Sequence, residues 1–395
     1  MYVFYCRAYQ FVFRIMSYLL PWRKPELISM GGVPPLLKRR NISSVLLVTD
    51  KGVSKLGLCG GLLADLSASG VKCAVYDQTV QNPTIGNITQ ALNLYHENNC
   101  GAIIGFGGGS PMDCAKGVGA RAARPNKPIQ KMRGQLKVLR RMPLFIAIPT
   151  TSGTGSETTL AAVVVDEKTN EKYALNDPSL IPHYAVLDWT LTRGLPKDIT
   201  ASTGMDALTH AVEAYIGGSN TAQTKKDALT ATKLIFENIF DAYTNGNSQK
   251  ARENMQMAAY LAGAAFTRAY VGNIHAAAHT LGGMYSTPHG KANAVIMPYV
   301  LDEYGERVYG SLSEMADAAG VGINRGRKEK AEAFIAAIRH MNKSMGIPEK
   351  IADLKRNDIP LLVKRALREA NPLYPVPVIF DEDKMESIFL KILDE

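Results

Sequence analysis

The sequence predicts a two-part chain, an α/β N-terminal domain built on a parallel sheet followed by an all-α C-terminal domain. Three observations carry this. From residue 45 to about 150, short aliphatic runs alternate with helical runs, the rhythm of parallel strands covered on both faces by their crossover helices. Strand signals stop near Gly194-Leu195-Pro196, and helical runs cover most of 200–395. At 395 residues the chain can give each part a core of its own. We place an aromatic, amphipathic extension at 1–30, the sheet domain at 31–195 and the helical domain at 196–395.

Residues Met1 to Trp22 are aromatic and basic. Arg7 and Arg14 interrupt the apolar run, which therefore cannot supply the roughly 20 apolar residues of a membrane span, and no small-residue cleavage signature follows. Phe4, Ala8, Phe11, Ile15 and Leu19 share one helical stripe, and Arg7, Gln10, Arg14 and Ser17 another. We read an amphipathic helix packed on the body or on a second subunit, with membrane-surface binding as the alternative.

After Gly31-Gly32 the strands begin. Val45-Leu46-Leu47-Val48 is the first and ends in Thr49-Asp50-Lys51-Gly52; a helical run reaches Ala68, and Lys72-Cys73-Ala74-Val75-Tyr76 is the second strand. A helix over 85–98 leads to a third strand, Ala102-Ile103-Ile104-Gly105-Phe106, which runs into Gly107-Gly108-Gly109-Ser110-Pro111-Met112-Asp113. The helix that follows reads from Cys114 to Ala123. Glycine amides and a helix N-terminus at a strand end make an anion site, where a pyrophosphate would rest; Ser110 and Asp113 acting only as a helix cap is the plainer alternative. Phe145-Ile146-Ala147-Ile148 then delivers Pro149-Thr150-Thr151-Ser152-Gly153-Thr154-Gly155-Ser156-Glu157, whose five hydroxyls in eight residues suit a ribose and phosphate wall. Short strands continue from Ala161 to Asp188, with Lys172 among them.

Within the helical part, the stretch from Gly204 to Gly290 holds four of the seven histidines. Asp206 and His210 are four apart in a run without helix breakers, so they share one helical face. His275 and His279 repeat that spacing, and His289 follows Pro288. One carboxylate with several imidazoles suits Zn, Fe(II), Mn or Co, whereas Mg or Ca would want more carboxylates. By spacing alone, His279 aims at the ion as well as His275. Glu213, three residues past His210, reads as a partner orienting that imidazole or as an ordinary surface or packing acid.

Composition bounds the alternatives. With 46% hydrophobic and 21% charged residues the chain is an ordinary globular protein. The net charge of +9 is partly local, since no acid occurs between Asp113 and Glu157 while Lys and Arg recur from Arg121 to Arg141. That run lacks interleaved aromatics and matches no nucleic-acid motif, so we expect no nucleic-acid partner. The five cysteines, odd in number and without a C-x-x-C pattern, point to reduced thiols in a cytoplasm.

Gly107-Gly108-Gly109-Ser110, the 149–157 loop, Gly204-Met205-Asp206-Ala207-Leu208-Thr209-His210, and His275 through His279 with Thr287-Pro288-His289-Gly290 together resemble the iron-containing (group III) alcohol dehydrogenases, in order and near the usual spacings from about residue 30 to the C-terminus. The resemblance implies the dehydroquinate synthase-like, iron alcohol dehydrogenase fold: a dinucleotide-binding domain, then a helical metal-binding domain. It assigns the metal ligands to Asp206, His210, His275 and His289, and moves His279 from ligand to the residue beside nicotinamide and substrate. It places cofactor contacts at Asp50, Asn82, Gly108, Gly109, Ser110, Thr150, Thr151, Thr154 and Lys172. A carboxylate at Asp50 accepts from a ribose 2′-OH and repels a 2′-phosphate, which favours NAD over NADP.

The activity implied is NAD-dependent hydride transfer between a small primary alcohol or diol and its aldehyde, with Fe(II), or Zn, Mn or Co, in a cytoplasmic homodimer. Glycerol dehydrogenase-like and dehydroquinate synthase-like enzymes are the alternatives within the fold, and a basic nucleic-acid or membrane-surface binder the alternative outside it. Three departures from the family pattern are the N-terminal segment, Trp189 in place of a frequent proline and Ser152 in place of a common alanine; none falls on a ligand.

Overall fold

The computed structural model describes residues 1–20, 22–169 and 171–394, with the side chains of 16–18, and so the Ser17 of the expected polar stripe, outside the described residues. The chain forms two compact units, Pro21–Thr192 and Met1–Leu20 with Arg193–Glu395. The expected 1–30 extension is thus divided: helix α1 (Tyr2–Tyr18) belongs with the helical unit, while β1 (Glu26–Leu27) joins the sheet.

The α/β unit continues with α2 (Val33–Arg39), β2 (Ser44–Asp50), α3 (Lys51–Lys55), α4 (Gly60–Ala68), β3 (Lys72–Thr79), α5 (Ile85–Glu97), β4 (Ala102–Gly107), α6 (Gly109–Ala123), β5 (Gly134–Gln135), β6 (Leu144–Pro149), β7 (Ala161–Asp166), β8 (Glu171–Asn176) and β9 (Tyr184–Ala185). Six strands form one parallel sheet in the order β1-β9-β6-β4-β2-β3. Successive side chains of a strand point to opposite faces. Leu46, Val48, Ile103 and Phe145 therefore pack into one core with Ile88 of α5 and Ala115 of α6, and Val45, Leu47, Ile104 and Ile146 into another with Leu36 of α2 and Leu62 of α4. Continuous apolar strands are what this two-sided burial requires.

Three local expectations change. The helical run to Ala68 breaks after α3, where Gly57 takes a left-handed φ of 68°. Helix α6 begins at Gly109, five residues before the expected Cys114, and Ser110 and Asp113 form no capping box: Gly108 is the N-cap, with no side-chain bond. Asp113 instead accepts from Ser156 Oγ at 3.2 Å and from the Val163 amide at 3.1 Å. Beside it the fully buried Lys116 donates to Thr159 Oγ1 at 2.6 Å, Ala161 O at 2.8 Å and Ser156 Oγ at 3.1 Å. Burial lowers this ammonium to about 8 although Asp113 and Glu157 pull the other way. Its three acceptors supply the hydrogen bonds a buried charge needs and tie the helix after the glycine turn to the hydroxyl-rich loop. Strands β7 and β8 pair antiparallel in a second, three-stranded sheet with β5.

The helical unit comprises α7 (Lys197–Ile216), α8 (Ala222–Thr244), α9 (Gln249–Ala269), α10 (Asn273–Tyr285), α11 (His289–Tyr304), α12 (Tyr309–Ala319), α13 (Arg327–Ser344), α14 (Ile359–Ala370) and α15 (Glu382–Lys391). Nearly every residue of α7 from Thr200 to Tyr215 is buried, so this helix is the centre of the unit and its polar residues are inside. No helix among the described residues is long and apolar enough to cross a membrane.

Helix α1 packs on the body of this unit, but by the face opposite to the one its pattern predicts. Cys6 and Gln10 are buried, while Phe4, Phe11, Ile15 and Leu19 of the apolar stripe are exposed. The inward side carries directional donors: Arg7 reaches Val376 O at 2.7 Å and Gln10 reaches Tyr374 O at 2.7 Å. Hydrogen bonds to loop carbonyls, rather than apolar area, decide its seating.

At the foot of the sheet, His183 Nδ1 accepts the Phe145 amide at 3.1 Å, which fixes the start of β6. Burial, then Arg23, Arg141 and Arg40, lower this imidazole to about 4. Between that value and the ordinary 6.5 the unfolded chain binds a proton that the folded chain does not, so this group's contribution to stability falls as pH drops through that window. Urea midpoints of the wild type should decline from pH 6.5 to 4 more steeply than those of His183→Gln, and parallel declines would contradict this.

Candidate metal centre and dinucleotide loops

Three helices bring the centre together. Asp206 and His210 lie one turn apart on α7, His275 sits in the first turn of α10, and His289 opens α11 directly after Pro288, which serves as its N-cap. One ligand atom from each of the four lies within 4.8 Å of the others. Asp206 Oδ1 is 3.4 Å from His289 Nε2 and 4.0 Å from the Nε2 atoms of His210 and His275. Asp206, His210 and His275 are buried; His289 is partly exposed.

Glycine makes the close approach possible at one point. A Cβ on Gly290 would stand 2.2 Å from Ser202 O and 3.2 Å from Asp206 Cβ, so only glycine lets α11 meet α7 this closely.

Glu213, buried on α7, accepts from the Gly272 amide at 2.8 Å, the Ile274 amide at 2.8 Å and His275 Nδ1 at 2.6 Å. It therefore orients His275, from another helix, and not the His210 that spacing suggested. Burial raises this carboxyl to about 7 against the pull of its backbone donors. Because the two backbone amides can only donate, one to each oxygen, we take it as a carboxylate. Nδ1 of His275 then carries the proton and Nε2 turns its lone pair to the centre. Burial, then the neighbouring imidazoles, hold His275 well below its ordinary value, which keeps this imidazole neutral. His210 is stacked between Phe266 at 4.1 Å and His275 at 4.7 Å between ring centroids.

The structure gives His279 other surroundings than the spacing alone predicts. Its ring stacks on His289 at 5.1 Å, and its Nδ1 lies 2.6 Å from Glu369 Oε1, which also accepts the Tyr374 hydroxyl at 2.8 Å. Burial raises the Glu369 carboxyl, but His279 and Tyr374 outweigh it and the net shift is downward. Burial and the Glu369 carboxylate raise the Tyr374 phenol well above its usual value, so it remains a donor.

Asn293 was not foreseen. Its Nδ2 lies 2.8 Å from Asp206 Oδ1, 3.1 Å from His275 Nε2 and 3.2 Å from His289 Nε2. The one sequence signal for it is its place four residues after His289. Glu369 and Tyr374, some ninety residues from His279, have no such signal.

In the α/β unit, Gly107 ends β4 with φ 145°, and a Cβ there would meet Pro111 Cγ at 2.7 Å. The turn leaves a cavity of about 370 Å³ lined by Asp50, Thr79, Gly108, Gly109 and Ser110 among others. Asp50 caps α3, its Oδ1 accepting from the Val53 amide at 2.9 Å. Ser110 Oγ accepts from the Asn82 amide at 3.2 Å, and Asn82 Oδ1 from Lys172 Nζ at 2.7 Å. Thr150 donates its amide to Gly107 O at 3.1 Å; Thr151 lies 3.6 Å from the Cβ position of Gly108, and Thr154 lies 3.3 Å from that of Gly109. The predicted residues of this unit thus surround one turn, although Asn82, Thr150, Thr151, Thr154 and Lys172 are not in the cavity wall itself.

Comparison with known proteins decides the family. Residues 29–189 match the iron-containing alcohol dehydrogenase family model, and 200–393 the C-terminal model of the Fe-containing alcohol dehydrogenase family. The chain is an oxidoreductase of the iron-containing alcohol dehydrogenase family. It is 36% identical to the 1,3-propanediol dehydrogenase of Citrobacter freundii over 95% of this chain and 98% of that one. It is 34% identical to the NAD-dependent methanol dehydrogenase of Bacillus methanolicus over 84% of this chain and 88% of that one. Among solved structures, 1,3-propanediol oxidoreductase superposes with a TM-score of 0.90 at 33% identity, covering 94% of this chain and 99% of its own.

Two outcomes follow. Glu213→Ala should weaken metal binding by about 10–100-fold, read as ion retained per chain after dialysis against graded chelator; unchanged retention would remove Glu213 from the account. Gly290→Ala should cost about 1–3 kcal/mol of stability from overpacking, measured by urea unfolding of the metal-loaded protein.

Proposed function

We propose that this oxidoreductase transfers a hydride between a small primary alcohol or diol and NAD, with Fe(II) held by Asp206, His210, His275 and His289. The observation that carries the reading is the convergence of one carboxylate and three imidazoles within 4.8 Å, an oxygen and nitrogen set suited to Fe(II), with Zn, Mn or Co as substitutes. The fit is supported by Glu213, whose hydrogen bond leaves the His275 Nε2 lone pair facing Asp206. A divalent ion in that set supplies Lewis acidity, lowering the pKa of an alcohol oxygen or polarising a carbonyl.

The chain's residues divide the remaining work. His279, held at Nδ1 by Glu369 at 2.6 Å, is the group that takes the alcohol proton, directly or through water. Asp50, at the end of β2 beside the glycine turn, holds the adenosine ribose, which favours NAD over NADP. The amides of Gly108 and Gly109 and the Ser110 hydroxyl, at the start of α6, receive the pyrophosphate, and Asn82, Thr150, Thr151, Thr154 and Lys172 complete the surround. The substrate class follows the 1,3-propanediol and methanol dehydrogenases among the relatives. A cytoplasmic homodimer belongs to the same proposal; the five free cysteines fit a reducing compartment.

NADH oxidation with short aldehydes, on protein loaded anaerobically with Fe(II) or Zn, is expected to require metal. Asp206→Ala should lose both ion and turnover, His279→Asn should keep the ion while kcat falls about 100-fold or more, and Asp50→Ser should narrow the preference for NAD over NADP. Turnover in the metal-free protein, or full activity in Asp206→Ala, would overturn the proposal.

A further inference from the structure

The residues that hold His279 lead to the N-terminal helix. Glu369, in the last turn of α14, receives His279 Nδ1 at 2.6 Å and the Tyr374 hydroxyl at 2.8 Å on one oxygen. Tyr374 belongs to the segment 371–380, which carries Pro372, Pro375 and Pro377 and forms neither helix nor strand. Helix α1 is bonded along this segment: Gln10 Nε2 donates to Tyr374 O at 2.7 Å, and Arg7 donates to Val376 O at 2.7 Å and Pro377 O at 2.8 Å. A further bond from Arg7 Nη1 to Gln10 Oε1 at 2.9 Å makes the two side chains one unit. Cys6, fully buried, packs with Val376 and Ile379. On the other flank, Phe13 meets Tyr270 edge to face at 5.1 Å, two residues before the Gly272 amide that Glu213 binds.

The face that α1 turns inward bears on this arrangement. Apolar burial is non-directional, and a helix seated by it would have hidden Phe4, Phe11 and Ile15. Seating by Arg7 and Gln10 instead fixes three particular carbonyls in place, because a hydrogen bond specifies distance and angle. The carbonyl of Tyr374 is one of them, and its hydroxyl is one of the two donors on Glu369 Oε1.

We propose that α1 is a brace for the His279 side of the site, with Tyr374 and Glu369 as positioning residues that set the direction of the His279 imidazole. This rests on the reading of His279 as the group that takes the alcohol proton. Loosening α1 frees the proline-rich segment, shifts Tyr374 off Glu369 and lets the imidazole turn about its own axis, while the four-residue metal set keeps its own supports.

The test uses full-length protein loaded with Zn, in the wild type, Glu369→Gln, Tyr374→Phe, the double variant Arg7→Ala/Gln10→Ala, and the triple variant combining the last two. Three quantities are read: bound zinc per chain, kcat and KM for aldehyde reduction by NADH, and the ring Nδ1–H resonance of His279 in 15N-histidine protein, assigned by its loss in His279→Asn. We expect unchanged zinc, unchanged KM for NADH, a kcat lowered about 10–100-fold in Glu369→Gln, and a kcat lowered about 3–30-fold in each of the others. The triple variant should be no slower than Tyr374→Phe, since residues acting in series are not additive, and the His279 resonance should move in every variant. An Arg7→Ala/Gln10→Ala protein with wild-type kcat and an unmoved His279 resonance would overturn the brace, as would losses that multiply or that follow zinc loss. If the wild type turns over no aldehyde, the reading of His279 fails, and the resonance alone decides whether α1 holds the ring.

Discussion

The helical unit depends on one buried carboxylate. Glu213 gathers two backbone amides and an imidazole, at 2.8, 2.8 and 2.6 Å, at the point where α9 has ended and α10 begins. An acid in this position is costly to bury, as its rise to about 7 records, and it is tolerated because each partner is a donor with little other recourse. The result is that the start of α10 is fixed on α7, and with it the direction of His275. His210 then has a ring to stack against, and α11 can approach only because Gly290 has no side chain. The geometry of the Asp206, His210, His275 and His289 cluster is thus a consequence of helix termini and one acid, not of those four side chains themselves.

The same economy recurs in the α/β unit. On α6 the buried Lys116 and the half-buried Asp113 direct their bonds to Ser156, Thr159, Ala161 and Val163. They hold the hydroxyl-rich loop to the helix that follows the glycine turn. In both units a buried charge with a complete set of partners stands one layer behind the groups that face a ligand, which is how such groups keep one orientation.

Much of this was legible in the sequence. The continuous apolar runs gave β2, β4 and β6, because strands buried on both faces must be apolar throughout, and the run at 72–76 gave the edge strand β3. The i, i+4 spacing placed Asp206 over His210, and the glycine and hydroxyl-rich turns marked the strand ends. What was not legible depended on contacts remote in sequence. Asp113 looked like a capping residue because local rules saw only Ser110, whereas its partners lie at Ser156 and Val163. Glu213 was matched to the nearest histidine in sequence rather than in space. His279 shares a face with His275, but Glu369, ninety residues on, takes its Nδ1. The amphipathic pattern of α1 misassigned its inner face, since hydropathy does not register Arg7 and Gln10 as donors to loop carbonyls. Two-residue strands such as β1 and β5 are too short to carry a period at all.

The central claim is that Asp206, His210, His275 and His289 hold one divalent ion. The most direct measurement is a crystal structure of the Fe(II)-loaded protein with diffraction collected on both sides of the iron absorption edge. The account predicts a single strong anomalous peak bonded to those four side chains, with Glu213 still on His275 Nδ1 and His279 outside the coordination shell. Iron bound elsewhere, or bound by His279 in place of one of the four, would contradict it.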